Sequence, residues 1–191
     1  MTSLKIIALG LALACSTTAA QAYSSVLPDT EARTPAEDAG VMTSSPIPRE
    51  VVAYTGPHAP GTVVVSTSER RLYLVLDGNR AIRYGVGVGR PGFTWSGVQR
   101  IARKAEWPAW TPPAEMLKRR PDLPRHMKGG EDNPLGARAM YLGSSLYRIH
   151  GSNEPNTIGQ AVSSGCIRMT NEDVTDLYER VKVGATVVVM R

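Results

Sequence analysis

Order in the apolar and polar pattern begins at Gly61. Thr62 to Val65 is a β-branched, strand-like run, and the apolar Leu72 to Leu76 follows after a polar break. Asp77-Gly78-Asn79 is a turn signal, which makes Ala81 to Val88 the expected returning strand of a hairpin. Val98 to Glu106 alternates as a further strand, and Trp107 to Pro113 then halts regular structure. Ala114 to Arg120 is expected to be a short helix with Pro112 and Pro113 near its start. Residues 121–134 form a polar loop carrying Pro121, Pro124, Gly129, Gly130 and Pro134, of a length that in compact domains usually marks function or mobility. Ala137 to Leu142 and Leu146 to His150 read as paired strands around Gly143-Ser144-Ser145. Thr170 and Asp173 have capping-box spacing, and Val174, Leu177, Tyr178 and Val181 follow at i, i+3, i+4 and i+7. Gly184 stands where a C-terminal cap belongs, and Ala185 to Met190 is a final buried strand. The pattern predicts one domain, mostly β and largely antiparallel, with one clear α-helix near the C-terminus.

Before that domain the pattern changes twice. Lys5, the apolar run Ile6 to Ala14 and Ala20-Gln21-Ala22 have the layout of a signal peptide, so residues 1–22 are expected to be removed before Tyr23. The run is too short to span a bilayer, so no transmembrane segment is expected in the mature chain. An alternative makes Cys15 the lipidated first residue of a membrane-anchored protein. Residues 23–58 are rich in Ser, Thr, Ala and Pro, which gives a flexible linker and places the ordered domain at 59–191.

Cleavage after Ala22 leaves Cys166 as the sole thiol of the mature chain. Net charge is +5 overall, but Tyr23 to Gly56 holds two arginines against five acids, so the excess lies in the domain. A basic exported domain suits an anionic wall, a membrane surface or an acidic substrate. Nucleic acid is not indicated, because no aromatic–basic repeat or binding motif accompanies the charge. Gly85, Gly87 and Gly89 only partly satisfy a dinucleotide fingerprint, since Pro91 and Gly92 fall where its helix should begin. A strand packed closely against another backbone is the better reading.

The candidate chemistry lies between His150 and Met169. Cys166 follows Ser163-Ser164-Gly165, a polar and permissive setting that is poor core but would present a thiol beside the amides of Ser164, Gly165 and Cys166 as oxyanion donors. His150, at a strand end before Gly151, is the natural base, because His58 falls in the linker and His126 in the 121–134 loop. No carboxylate stands out as the group orienting it; a backbone carbonyl such as that of Gly151 could do so. Arg168 could clamp a substrate carboxylate or pair with Asp173 or Asp176. A zinc centre of Cys166, His150 and His126 lacks the usual ligand spacing, so neither metal nor cofactor is expected. Trp107, Trp110 and the 121–134 loop are candidate cleft walls.

His150-Gly151 followed by Ser163-Ser164-Gly165-Cys166-Ile167-Arg168-Met169 resembles the signature of YkuD-type L,D-transpeptidases, also called the ErfK/YbiS family. The resemblance runs over roughly residues 60 to 190. Ser164 stands where many members have a second histidine, and Trp95-Ser96-Gly97 replaces a commoner Thr-Pro-x-Gly. The resemblance implies a β-sandwich or barrel-type catalytic domain acting on peptidoglycan stem peptides in the periplasm or cell envelope. It makes Cys166 the nucleophile and His150 its base, with Gly151, Ser163, Ser164, Gly165 and Arg168 shaping the pocket or contacting substrate. The expected reaction releases a terminal D-alanine from a tetrapeptide stem and passes the acyl group to another stem, forming 3→3 cross-links. Envelope-protein lysines and water are alternative acceptors, and a non-catalytic wall-binding module is the alternative outside enzymology.

Overall fold

A computed structural model describes residues 45–191. The expected signal peptide, Cys15 and the first part of the expected linker lie outside the described residues. The strands are β1 (Glu50–Ala53), β2 (Val63–Ser66), β3 (Arg71–Leu76), β4 (Arg80–Gly85), β5 (Val88–Gly89), β6 (Gly97–Glu106), β7 (Arg138–Leu142), β8 (Arg148–His150), β9 (Ala161–Ser163), β10 (Ile167–Arg168) and β11 (Thr186–Met190). Two α-helices accompany them, the six-residue α1 (Ala114–Arg119) and the ten-residue α2 (Asn171–Arg180). Nine strands form one sheet in the order β1-β4-β3-β2-β11-β6-β7-β8-β10, and β5 pairs with β9 alone. None of the described helices is long and apolar enough to cross a membrane.

The domain is mostly β because β-branched runs recur at strand length. Val63, Val64 and Val65 are all buried in β2, flanked by β3 on one side and β11 on the other. Each such side chain contributes about 1.5–3 kcal/mol when removed from water. β6 connects two panels. Gly97 to Arg100 pairs with β11 and Ile101 to Glu106 with β7, with a register shift between Ile101 and Arg103. A bulge there bends and twists the strand, which curls the sheet.

Helix α2 covers the interior with Val174 and Leu177, both fully buried. The Thr170 hydroxyl accepts from the Asp173 amide at 3.2 Å, closing the first turn as the cap spacing requires. At the other end Lys104 donates to the carbonyls of Tyr178 (2.6 Å) and Val181 (2.9 Å), satisfying groups the helix leaves open.

Three differences from the sequence reading matter for the site. The sheet starts at Glu50, inside the range assigned to the linker. A four-residue edge strand in a Pro- and Ser-rich setting leaves no periodic signal, yet β1 pairs with β4, and Arg49 reaches Asp173 (3.6 Å) and Asp176 (3.4 Å) on α2. The Ala81 to Val88 run is divided: β4 ends at Gly85, and Val88 turns away to pair with β9. Three strand pairs are parallel, β2 with β11, β8 with β10 and β5 with β9, where a largely antiparallel sheet was expected.

Candidate active site

The parallel pairing of β8 and β10 brings the two candidate residues together. Ile167 lies opposite Ile149 and Arg168 opposite His150, and the Met169 amide donates to the His150 carbonyl at 2.8 Å. Continuing that register by one residue sets Cys166 level with Arg148. Parallel neighbours need a crossover connection of a dozen residues or more. The segment from Gly151 to Gly165 supplies it through a 3-10 turn at Pro155–Thr157 and strand β9. The spacing between His150 and Cys166 is therefore a consequence of topology.

His150 is buried, and its Nδ1 lies 2.6 Å from the Gly151 carbonyl. That oxygen can only accept, so Nδ1 carries the proton and Nε2 presents its lone pair. Burial, followed by the charge of Arg168, pushes the His150 pKa down to about 3 against the opposing Gly151 carbonyl, and the Arg148 charge adds the smallest effect in the same downward direction. The imidazole is neutral at neutral pH, the form a general base needs.

Asn171, the first residue of α2, holds this corner from behind. Its Oδ1 accepts from the Ala137 amide at 2.8 Å. A methyl group on Gly136 would lie 2.1 Å from that Oδ1 and 2.5 Å from the Ser152 amide nitrogen, and Gly136 has φ +61°. Only glycine fits this crossing.

The turn before Cys166 is clamped from two sides. Ser163 Oγ donates to the Cys166 carbonyl at 2.6 Å and accepts from the Gly165 amide at 3.1 Å. Trp95 Nε1 donates to the Gly165 carbonyl at 2.7 Å, and the Trp95 ring stacks on Tyr147 with centroids 4.4 Å apart and planes 5° from parallel. Gly165 has φ +106°, and an added Cβ would lie 2.6 Å from Tyr147 Cε1. Of the three amides considered as oxyanion donors, that of Gly165 is committed to Ser163. The amides of Ser164 and Cys166 have no acceptor among the described residues.

Cys166 is half-buried, and its thiol donates to the Leu146 carbonyl at 3.8 Å rather than to His150. Burial pushes the thiol up, while Arg148 and, more weakly, Arg168 pull it down. Arg168 pairs with Glu154 at 2.9 Å, not with Asp173 or Asp176. Those two acids are engaged by Arg49, and Asp176 also by Arg180 at 2.9 Å. Arg90 donates to Ser164 Oγ at 3.2 Å, and its guanidinium lies over the Phe93 ring at 4.2 Å.

These groups open onto a cleft of about 1050 Å³. Its far wall is built from Trp110, Met116 on α1, and Leu123 and Met127 of the long loop. Trp107 does not line it: the side chain is 42% exposed and its backbone has φ +38°. His126 is also off the cleft, beside Thr111 Oγ1 at 3.1 Å, so the three zinc candidates are not gathered. Among the described residues no cluster of three or more His, Cys, Asp or Glu could hold a metal.

Arg148, Trp95, Tyr147 and Asn171 were not read as site residues from the sequence. Arg148 had a usable signal, since it is two residues before His150 on a strand and so shares its face. Trp95 and Tyr147 had none, because the turn they support is distant in sequence.

Comparison with known proteins places this geometry. The YkuD family model, the L,D-transpeptidase catalytic domain, matches residues 60–189. The probable L,D-transpeptidase ErfK/SrfK of Escherichia coli K12 is 40% identical over 134 residues, covering 65% of this chain and 42% of that protein. The chain thus spans about two-fifths of the length of such curated relatives. Among solved structures, L,D-transpeptidase 3 from Mycobacterium tuberculosis matches 70% of this chain and 62% of its own at 19% identity and TM-score 0.57, a likeness of fold. A Brucella melitensis protein described as a probable carnitine operon oxidoreductase is 44% identical, with TM-score 0.52, over 77% of this chain and 96% of that one.

Proposed function

The chain belongs to the L,D-transpeptidase catalytic domain family, and from that premise we propose that it is a cysteine acyltransferase acting on peptidoglycan stem peptides. The observation that carries the reading is the β8–β10 pairing, which sets Cys166 and a neutral, tautomer-fixed His150 in one cleft. His150 Nε2 takes the thiol proton as sulfur attacks the carbonyl of the third residue of a tetrapeptide stem. The negative oxygen of the tetrahedral intermediate falls to the amides of Ser164 and Cys166. The carbonyl–nitrogen bond to the terminal D-alanine breaks, His150 returns the proton to the departing amine, and a thioester remains. An amine from a second stem attacks the thioester, giving a 3→3 cross-link and restoring the thiol. Arg168 contacts substrate from its place beside His150, with Glu154 fixing its orientation. The substrate puts the work site in the cell envelope, in keeping with the export expected from residues 1–22.

Intact-mass measurement after exposure to a carbapenem, a reactive acyl donor, tests the reading. A single adduct is expected on the wild-type chain and none on Cys166→Ala; no adduct on wild type under any condition overturns it. Muropeptide profiling with tetrapeptide substrates then fixes the acceptor, because only a stem amine yields 3→3 dimers, whereas water yields shortened stems and a protein lysine yields a conjugate. Binding to sacculi that persists unchanged in Cys166→Ser, with no loss of product, would instead assign a wall-binding module.

A further inference from the structure

The thiolate required by that reading has no standing counter-ion at His150. The imidazole is buried and neutral, with two arginines beside it, so an imidazolium is disfavoured in the free cleft. The charged side chains around the sulfur are Arg148 on β8, Arg168 on β10 with its partner Glu154, and Arg90, reached through Ser164. Arg168 is held by Glu154, and Arg90 by Ser164 and the Phe93 ring.

Arg148, whose guanidinium also lies over the Tyr141 ring at 5.1 Å, has no carboxylate partner among the described residues. It lies level with Cys166 across the parallel pair and on the same strand face as His150. Its NH1 group donates to the Leu146 carbonyl at 3.0 Å, the same oxygen that receives the Cys166 thiol at 3.8 Å. Its Nε is buried and has no hydrogen-bond partner among the described residues. The Nε atoms of Arg83 and Arg138 are unpaired in the same way, but that of Arg148 belongs to the residue level with the thiol, where an ionised sulfur would be an acceptor for a donor that is costly to leave unpaired.

We propose that Arg148 is the cation that holds the Cys166 thiolate, with its free Nε donating to the ionised sulfur. When the proton leaves for His150 Nε2, the sulfur no longer donates to the Leu146 carbonyl and becomes an acceptor within reach of the guanidinium. No redox change or co-reactant is involved: one proton moves from sulfur to nitrogen and returns to the leaving amine. The Arg148 charge, backbone amide and guanidinium all lower the thiol's proton affinity, in agreement with this placement. A guanidinium stays charged across the working pH range, which makes it a permanent partner where a depressed histidine cannot be one. The inference rests on Cys166 being the nucleophile.

The test is the pH dependence of iodoacetamide alkylation of the full chain, which reports thiolate without needing substrate. Arg148→Met is expected to move the inflection up by about one pH unit and slow alkylation about tenfold at pH 7. Arg148→Lys should recover most of that loss, and His150→Gln should keep the wild-type inflection. A wild-type profile in Arg148→Met overturns the proposal, as does a shift in His150→Gln as large as the one expected for the arginine variant. Should Arg148→Met fail to fold, His150→Gln still decides, because loss of the thiolate there assigns it to the imidazole. Arg148-dependent alkylation in a chain that forms no carbapenem adduct would retire the transferase reading and leave the ion pair. Adduct formation with Arg148-independent alkylation would do the reverse.

Discussion

The two walls of the cleft differ in how they are held. On one side, Gly136, Gly151 and Asn171 close around the His150 corner, and Trp95 and Tyr147 clamp the turn before Cys166, through contacts between residues distant in sequence, with Ser163 adding bonds within the turn. On the other side, α1 buries no residue and has no side-chain cap. Its salt bridges, Lys118 with Glu115 (2.7 Å) and Arg120 with Asp122 (2.6 Å), join near neighbours on the surface, and its longer-range side-chain contacts are exposed ones, Arg119 over the Phe93 ring at 5.1 Å and Thr111 with His126 at 3.1 Å. That wall is tied at its base, where Trp110 and Met127 exchange backbone hydrogen bonds of 2.7 and 2.8 Å and the buried Asn133 donates to the Lys128 carbonyl at 3.0 Å. Reacting groups need fixed geometry, whereas a wall that receives a peptide can tolerate adjustment. On the proposed function, the difference fits chemistry at the first wall and substrate accommodation at the second.

The sharpest way to break the first wall is Gly136→Ala. The new methyl would meet both a helix side-chain oxygen and a backbone nitrogen, at a backbone angle that L-residues avoid. Strain and overpacking together should cost roughly 2–5 kcal/mol. A thermal melt should fall by about 5–15 °C for a domain of this size. A melting temperature unchanged within a degree would mean that the corner yields, and the contrast between the walls would lose its basis.

The same contrast explains what could be read from the sequence. The β-branched run of β2, the apolar run of β3, the alternation of β6 and the Thr170-capped stripe of α2 carry their signals locally, so their positions were legible. So was the Ser163 to Cys166 turn, where a lone cysteine follows polar and flexible residues. The supports of that turn were not. Trp95 bonds to Gly165 from a loop after β5, and β10 is only two residues long, too short for any periodic signal. β1 was hidden by its Pro-rich surroundings, and Trp107 was misassigned to the cleft because composition cannot reveal a positive φ that turns a ring outward. Local pattern registers elements; it does not register which loops meet.

A pH titration of stability gives a smaller effect that sharpens the fixed wall further. The unfolded His150 titrates near 6.5 and the folded one near 3. Between those values the unfolded chain binds the extra proton, so this contribution is whole above pH 6.5 and is lost as pH falls toward 3. The slope is at most about 1.4 kcal/mol per pH unit. Chemical denaturation from pH 7.5 to 4 should show midpoints falling below pH 6.5 in the wild type and a flatter profile in His150→Gln. Parallel profiles would place the acid sensitivity elsewhere.

The smallest effect belongs to the far wall. Arg120→Ala removes the bidentate pair with Asp122, whose carboxyl the guanidinium holds below the usual carboxylate range. Both side chains are more than half exposed, so solvent and salt already screen the pair. The melting temperature should not change measurably. Arg120 nevertheless lines the cleft, so its loss should act on substrate capture, raising KM for an anionic stem while leaving kcat near wild type. The rise should shrink as salt is added, because an exposed charge contributes through a screened field. A fall in kcat instead would mean that the far wall helps to order the reacting groups, and the division between a chemical wall and an accommodating one would have to be redrawn.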